Sequence, residues 1–226
     1  MATYLAGKVA NAGYPVEINA QEFSLSTRGE GGDFYDNQIL ASSARLNLIS
    51  DTRGKFLDIA RDGDEEKYKV KRYKYVSSNW VVQWEGFITP SSYSEEYGQT
   101  PYVTSITAHD RLADLKNLEF LTEASPNDSS ATAYNKLVLG ELSQLQALNF
   151  CLSKLNQGFG YRVALNIFEA DHTKTSGNTP LEQTYFTPDF YANIRDNDYS
   201  PDNCDKIVKD ILKTYQAHIQ ARDGYW

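Results

Sequence analysis

The sequence predicts an α+β fold: a β-barrel-like domain over residues 1–122, then a mixed α/β domain over residues 128–226 with two main helices. Three observations carry this reading. Apolar and polar residues alternate with period two, punctuated by turn residues, as far as about residue 110. A polar stretch from Leu121 to Thr132, rich in Ser, Asn, Asp and Pro, then breaks the pattern and marks a boundary. Beyond it, leucines recur at spacings of three and four. With 226 residues the chain is long enough for two cores.

Taken in order, residues 1–25 carry turn signals at Gly7, Gly13 and Pro15 and then alternate Val16, Ile18 and Ala20 with polar neighbours. This predicts an edge or arm strand ahead of a turn at Arg28–Gly32. From Ser43 the alternation sharpens, with Ala44, Leu46 and Leu48 on one face of a strand. Asp51–Gly54 turns the chain into a second strand, Lys55–Ala60, and Arg61–Asp64 is the next turn. A Lys- and Tyr-rich strand, Glu66–Val76, pairs across Ser77–Asn79 with Trp80–Ile88. Strict alternation in that last strand puts Trp80, Val82, Trp84 and Gly86 on one face and Val81, Gln83, Glu85 and Phe87 on the other. Both faces are partly apolar, as in a central strand, and Gly86 marks a bulge or a bend at a barrel corner. After a Tyr- and Pro-rich connection, a further β run ends at Ala108-His109-Asp110.

In the second domain, Val138, Leu142, Leu145, Leu148, Leu152 and Leu155 predict a helix from about Ala133 to Asn156, stopped by Gly158 and Gly160. A short apolar strand follows at Tyr161–Phe168. Residues 170–197 read as a loop packed by Tyr185, Phe186, Phe190 and Tyr191. Ser200-Pro201-Asp202 opens the second helix, with Ser200 as its cap, and the helix buries Cys204, Ile207, Val208, Ile211, Leu212 and Tyr215. His218–Ala221 is a strand that Asp223-Gly224 turns toward Tyr225 and Trp226. A β turn ending on an apolar Tyr-Trp pair leaves an unpaired edge, so the sequence is expected to continue as a truncated domain.

Composition and spacing restrict the chemistry. A formal charge of −8 and a pI near 4.9 argue against binding nucleic acid through its phosphates. Lys67, Lys69 and Lys71 alternate and read as one solvated face of a sheet. Asp62, Asp64, Glu65 and Glu66 lack the ligand order of an EF-hand and read as an acidic hairpin turn. Cys151 and Cys204 read as isolated buried thiols. His109, His172 and His218 are scattered, and no nucleophile elbow, phosphate loop, dinucleotide fingerprint or zinc pattern occurs. Glu85 with Glu95 or Glu96 has the residue types of a glycosidase pair, but nothing distinguishes them from surface acids. No catalytic, cofactor or metal residue is therefore assigned, no window is apolar enough to span a bilayer, and the N-terminus lacks a signal-peptide pattern.

One ordered motif stands out: Trp80, Val82, Trp84, Glu85, Gly86 and Pro90, then Tyr93 and Tyr97, then Pro101, Tyr102, Ala108, Asp110, Leu112 and Leu115. In this order it resembles the N-terminal part of tail-tip or baseplate hub proteins of tailed bacteriophages and prophages, over roughly residues 35–226. Arg111 stands where relatives tend to have glycine, which argues against a left-handed turn there. The resemblance implies a structural, non-enzymatic virion protein, made in the bacterial host cytoplasm and located in the tail. It further implies a homotrimeric ring of β-barrel-like domains beside a distal tail protein, a tape-measure protein and fibres, with DNA passing through unbound. An alternative from the residues is a carbohydrate-binding β module using Trp80 and Trp84; a cell-wall hydrolase is a third.

Overall fold

The structure is a computed structural model, described here for residues 23–28, 37–121, 138, 140–163, 179–192, 194, 195, 198, 199 and 201–226. It is α+β with a mostly antiparallel sheet, and divides into a first unit of residues 1–112 and 219–226 and a second of residues 113–218. The arm strand expected around Val16–Ala20 and the turn at Gly29–Gly32 lie outside the described residues.

The first unit is built on β1 (Phe23–Arg28), β2 (Ile39–Ser50), β3 (Lys69–Val76), β4 (Asn79–Glu95) and β5 (Tyr102–His109). Their order is β1-β2-β5-β4-β3, all antiparallel, and a short strand at Ile219–Gln220 pairs with β2 in parallel. Among the described residues no pairing joins β1 to β3, so the sheet is open rather than a closed barrel. Ala44, Leu46 and Leu48 on β2 face the core as their alternation predicts, joined by Trp84, Ile88, Ile106 and Ala108.

Lys55–Ala60 is not a strand. Leu57–Asp62 forms a short helix, α1, which places Ile59 in the sheet's core together with Phe56 just ahead of it. Gly63 ends the helix in the left-handed region at φ 70°. The apolar residues of KFLDIA at positions 56, 57, 59 and 60 suit a helical turn as well as a pleat, so so short a run does not discriminate.

In the second unit the leucine-rich helix begins later than its spacing suggests. Leu142–Ser143 is a short strand, β6, paired with β7 (Tyr185–Phe186), and α2 runs over Gln144–Ser153. The reason is a capping box: Ser143 Oγ accepts from Gln146 N at 3.2 Å while Gln146 Oε1 accepts from Ser143 N at 2.9 Å. Tyr161, Arg162 and Val163 are not in a strand, and the rest of that expected strand lies outside the described residues. Within the expected loop, Pro180–Gln183 forms a single helical turn, α3, and Pro188–Tyr191 a 3-10 turn. Tyr191 is buried there, whereas Tyr185 and Phe190 are exposed.

The last helix, α4, runs over Cys204–Thr214 and is capped by Asn203, whose side chain accepts from Lys206 N at 3.0 Å. The start is three residues later than Ser200 would set it. The Asn203 carboxamide fixes the start there by accepting from the third backbone N–H of the helix. Cys204, Ile207, Val208, Ile211 and Leu212 are buried as expected. Cys151 of α2 and Cys204 of α4 are both buried free thiols, close enough to influence each other's ionisation, and Cys204 Sγ donates to Glu119 O at 3.7 Å. The neighbouring Cys204 thiol, together with burial, pushes the Cys151 thiol well above its ordinary range.

Candidate functional site

The ordered motif builds a buried frame in the first unit. Trp84 is fully buried, and its Nε1–H donates to Ser42 Oγ at 2.8 Å. Ser42 in turn donates both its hydroxyl and its backbone N–H to Asp110 Oδ2, at 2.5 and 2.7 Å. Asp110 Oδ1 accepts from Leu112 N at 3.0 Å, and Asp110 N donates to Ser42 O at 3.1 Å. One carboxylate thus ties the end of β5 to β2, turns the chain out of the sheet, and orients the hydroxyl that receives the indole. Every donor in the chain is used, which is what a buried polar path needs to be tolerated. Ser42 was not singled out from the sequence; a serine inside a strand carries no signal until its partners are known.

Gly86 serves close approach, not a bulge. A Cβ there would lie 2.3 Å from Trp84 Cη2 and 2.7 Å from His109 O, so the indole lies across the glycine and β5 passes beside it. The bulge falls instead at Gln83: Arg72 pairs with Trp84 but Tyr73 pairs with Val82, leaving Gln83 as the extra residue on β4. This overturns the expected faces. Trp80 and Val82 lie with Glu85 and Phe87, whereas Val81 lies with Trp84, Gly86 and Ile88. Trp80 is 40% exposed, so the two tryptophans have opposite surroundings.

Glu85 is not a surface acid. It is 2% exposed, and its two oxygens meet Lys69 Nζ at 2.8 Å and Lys71 Nζ at 2.9 Å. Burial by itself raises the Glu85 pKa, but hydrogen bonds and charge from the two lysines outweigh it, and the net shift is downward. Two lysines of the stripe accordingly share one carboxylate, with Lys69 also 4.6 Å above the Phe87 ring, and the stripe is not simply a solvated face. Lys67 pairs with Asp62, whose carboxylate also accepts from Tyr68 Oη at 2.9 Å.

Beyond Thr89, β4 carries a wide irregularity: Thr89 pairs with Thr107 and Ser94 with Ser105. Pro90, buried, sits at its start, where a missing N–H costs nothing to the ladder. Ser92 stitches the gap by donating to Thr89 O at 2.6 Å and accepting from Thr107 N at 2.8 Å. Tyr93 packs partly buried against the core, and Glu95 accepts from Gly54 N at 2.9 Å. Tyr97 is 88% exposed with the Arg53 guanidinium 4.6 Å from its ring centroid. Pro101 follows a cis peptide bond, and Tyr102 opens β5. Arg111 adopts the left-handed conformation, φ 67°, without being glycine. Its guanidinium meets Glu66 Oε1 at 2.9 Å and lies 5.2 Å from the Phe87 ring centroid, contacts that help offset the backbone cost. Leu115, in the second unit, is fully buried in the 3-10 turn Leu112–Asn117.

Among the described residues no cluster of three or more His, Cys, Asp or Glu is placed to hold a metal ion. No described helix is long and apolar enough to cross a membrane. No protein family matches the chain, and no curated protein does. A solved structure that resembles it is the 43 kDa tail protein of prophage MuSo2 from Shewanella oneidensis. The two share 9% identity at a TM-score of 0.40, over 95% of this chain and 49% of that one. The chain thus spans about half the length of that protein, and a likeness this distant carries no functional argument.

Proposed function

We propose that the chain is a structural component of a phage tail tip or baseplate hub, a protomer of a trimeric ring that closes or extends the tail tube. The observation that supports this most is the use made of the ordered motif from Trp80 to Leu115. Trp84, Gly86, Pro90, Asp110 and Leu115 are all buried and serve as scaffold, which is the role such residues take in a wall. In this reading the chain has no catalytic task. Its partners are a distal tail protein, a tape-measure protein and fibres, and it acts in the virion tail after synthesis in the host cytoplasm. Its charge of −8 suits a lumen past which DNA slides without adhering. The test is whether an epitope-tagged chain co-purifies with intact tails and labels their distal end in electron micrographs. Recovery only as free protein, with tails assembling normally in its absence, sinks the proposal.

A second reading, a carbohydrate-binding module, is favoured by one feature: Trp80 and Tyr75 form an exposed aromatic pair with ring centroids 4.9 Å apart. Trp84, fully buried, takes no part in it. Glycan-array binding that disappears in Trp80→Ala would favour this second reading over the first.

A further inference from the structure

We propose that the tip of the β3–β4 hairpin is a self-association surface, and that its partner is a second copy of this chain. The hairpin closes in a two-residue turn, Ser77-Ser78, with φ of 48° and 66°, so its strands run paired to their ends. Four large apolar side chains lie exposed around it: Tyr75 at 50%, Val76 at 43%, Trp80 at 40% and Val81 at 43%. They occupy both faces, since Tyr75 pairs with Trp80 on one and Lys74 with Val81 on the other. Clusters of this kind mark contact sites, and a preformed Trp–Tyr pair is the sort of anchor that carries binding energy.

Charge selects the occupant. Residues 69–84 contain Lys69, Lys71, Arg72 and Lys74 and no acid, on a chain of net charge −8, which leaves −12 for the remainder. Glu85 engages Lys69 and Lys71 at the base, and Lys74 is the cation of this stretch that lies nearest the tip. An apolar end flanked by cations complements an acidic polypeptide, and the rest of this same chain is one. A nucleic acid would meet the same cations but be repelled by that remainder. The inference deepens the ring reading by naming a surface the copies use, and it rests on that reading only for stoichiometry.

The test is sedimentation of the 226-residue chain up to about 1 mM, the weak end of specific association, at low and high salt. It is combined with a photoreactive phenylalanine analogue placed at Val76. The expected result is salt-sensitive self-association, weakened about 30-fold by Trp80→Ser or by Lys74→Glu, with crosslinks from position 76 to an acidic segment of a second copy. If Trp80→Ser perturbs the sheet, judged by circular dichroism, Lys74→Glu probes the same surface without loss of packing. A chain that stays monomeric throughout overturns the inference. So does an oligomer indifferent to both variants, or crosslinking to co-purifying nucleic acid instead. The second and third of these results leave the tail reading intact, whereas self-association through the hairpin in a chain absent from tails strikes that reading alone.

Discussion

Asp110 accepts from three donors, two of them on Ser42, and no neutral side chain of the same shape repeats this. In Asp110→Asn either an acceptor is lost or an amide N–H meets a donor, so urea denaturation should show a loss of about 1–3 kcal/mol. Trp84→Ala should cost about 3–5 kcal/mol, as expected for a buried large aromatic, and an unchanged melting temperature would contradict its placement in the core. Arg111→Gly should be nearly neutral, within about 1 kcal/mol, because relief of a left-handed arginine offsets the lost contacts to Glu66 and Phe87. Glu85 provides a pH signature. Its pKa is lower folded than unfolded, so its contribution is present above the ordinary value of 4.5 and is lost as pH falls from there toward the folded pKa. Stability of Glu85→Gln, followed by urea midpoints from pH 6 to 3, should lack that part of the acid decline. The strand that holds Trp84 was legible, but its burial was not, because strict alternation groups it with Trp80, which is exposed. Arg111 was misread because glycine preference describes what a left-handed turn favours, and here side-chain contacts hold the less favoured residue in place.

Single insertions decide what is legible in a strand. The alternation of β2 holds from Leu40 to Ser50, and the burial of Ala44, Leu46 and Leu48 follows from the sequence. In β4 the same rule fails at Gln83, because one unpaired residue exchanges the faces of everything beyond it. Nothing in WVVQWEG announces that residue; it is recognisable only from the partner strand and from the C-terminal turn, where Gly224 N donates to Gln83 O at 3.2 Å. Deleting Gln83 should therefore be tolerated, because Val82 and Trp84 would become neighbours on opposite faces, where the bulge already places them. Deleting Asn47 from the unbulged β2 should instead exchange the faces on one side of the cut, and circular dichroism should report loss of the folded sheet in that variant alone. Helix starts were misplaced for a related reason. Periodicity locates the apolar stripe, but the first turn is set by whichever side chain reaches the open N–H groups, Ser143 with Gln146 in one case and Asn203 in the other.

Across the molecule, the antiparallel sheet and two principal helices were readable from period and punctuation, but the openness of the sheet and the destination of the last eight residues were not. A two-residue strand has too little pattern to name its partner, and Ile219–Gln220 finds β2 in parallel, 180 residues back in sequence. Removing residues 219–226 should destabilise the sheet unit, since Ile219 and Trp226 are buried and Gly224 approaches Val82 O too closely to admit a Cβ. A lowered urea midpoint for the truncated chain is the expected readout. The same return strand has a consequence for biosynthesis. Residues 113–218 leave the ribosome as one uninterrupted block and can close on themselves, whereas the sheet, begun earlier, waits for a segment made after that block. Arrest-peptide force measurements along the nascent chain should find the later-encoded unit pulling first, and the earlier-encoded one completing only after Trp226 has cleared the exit tunnel.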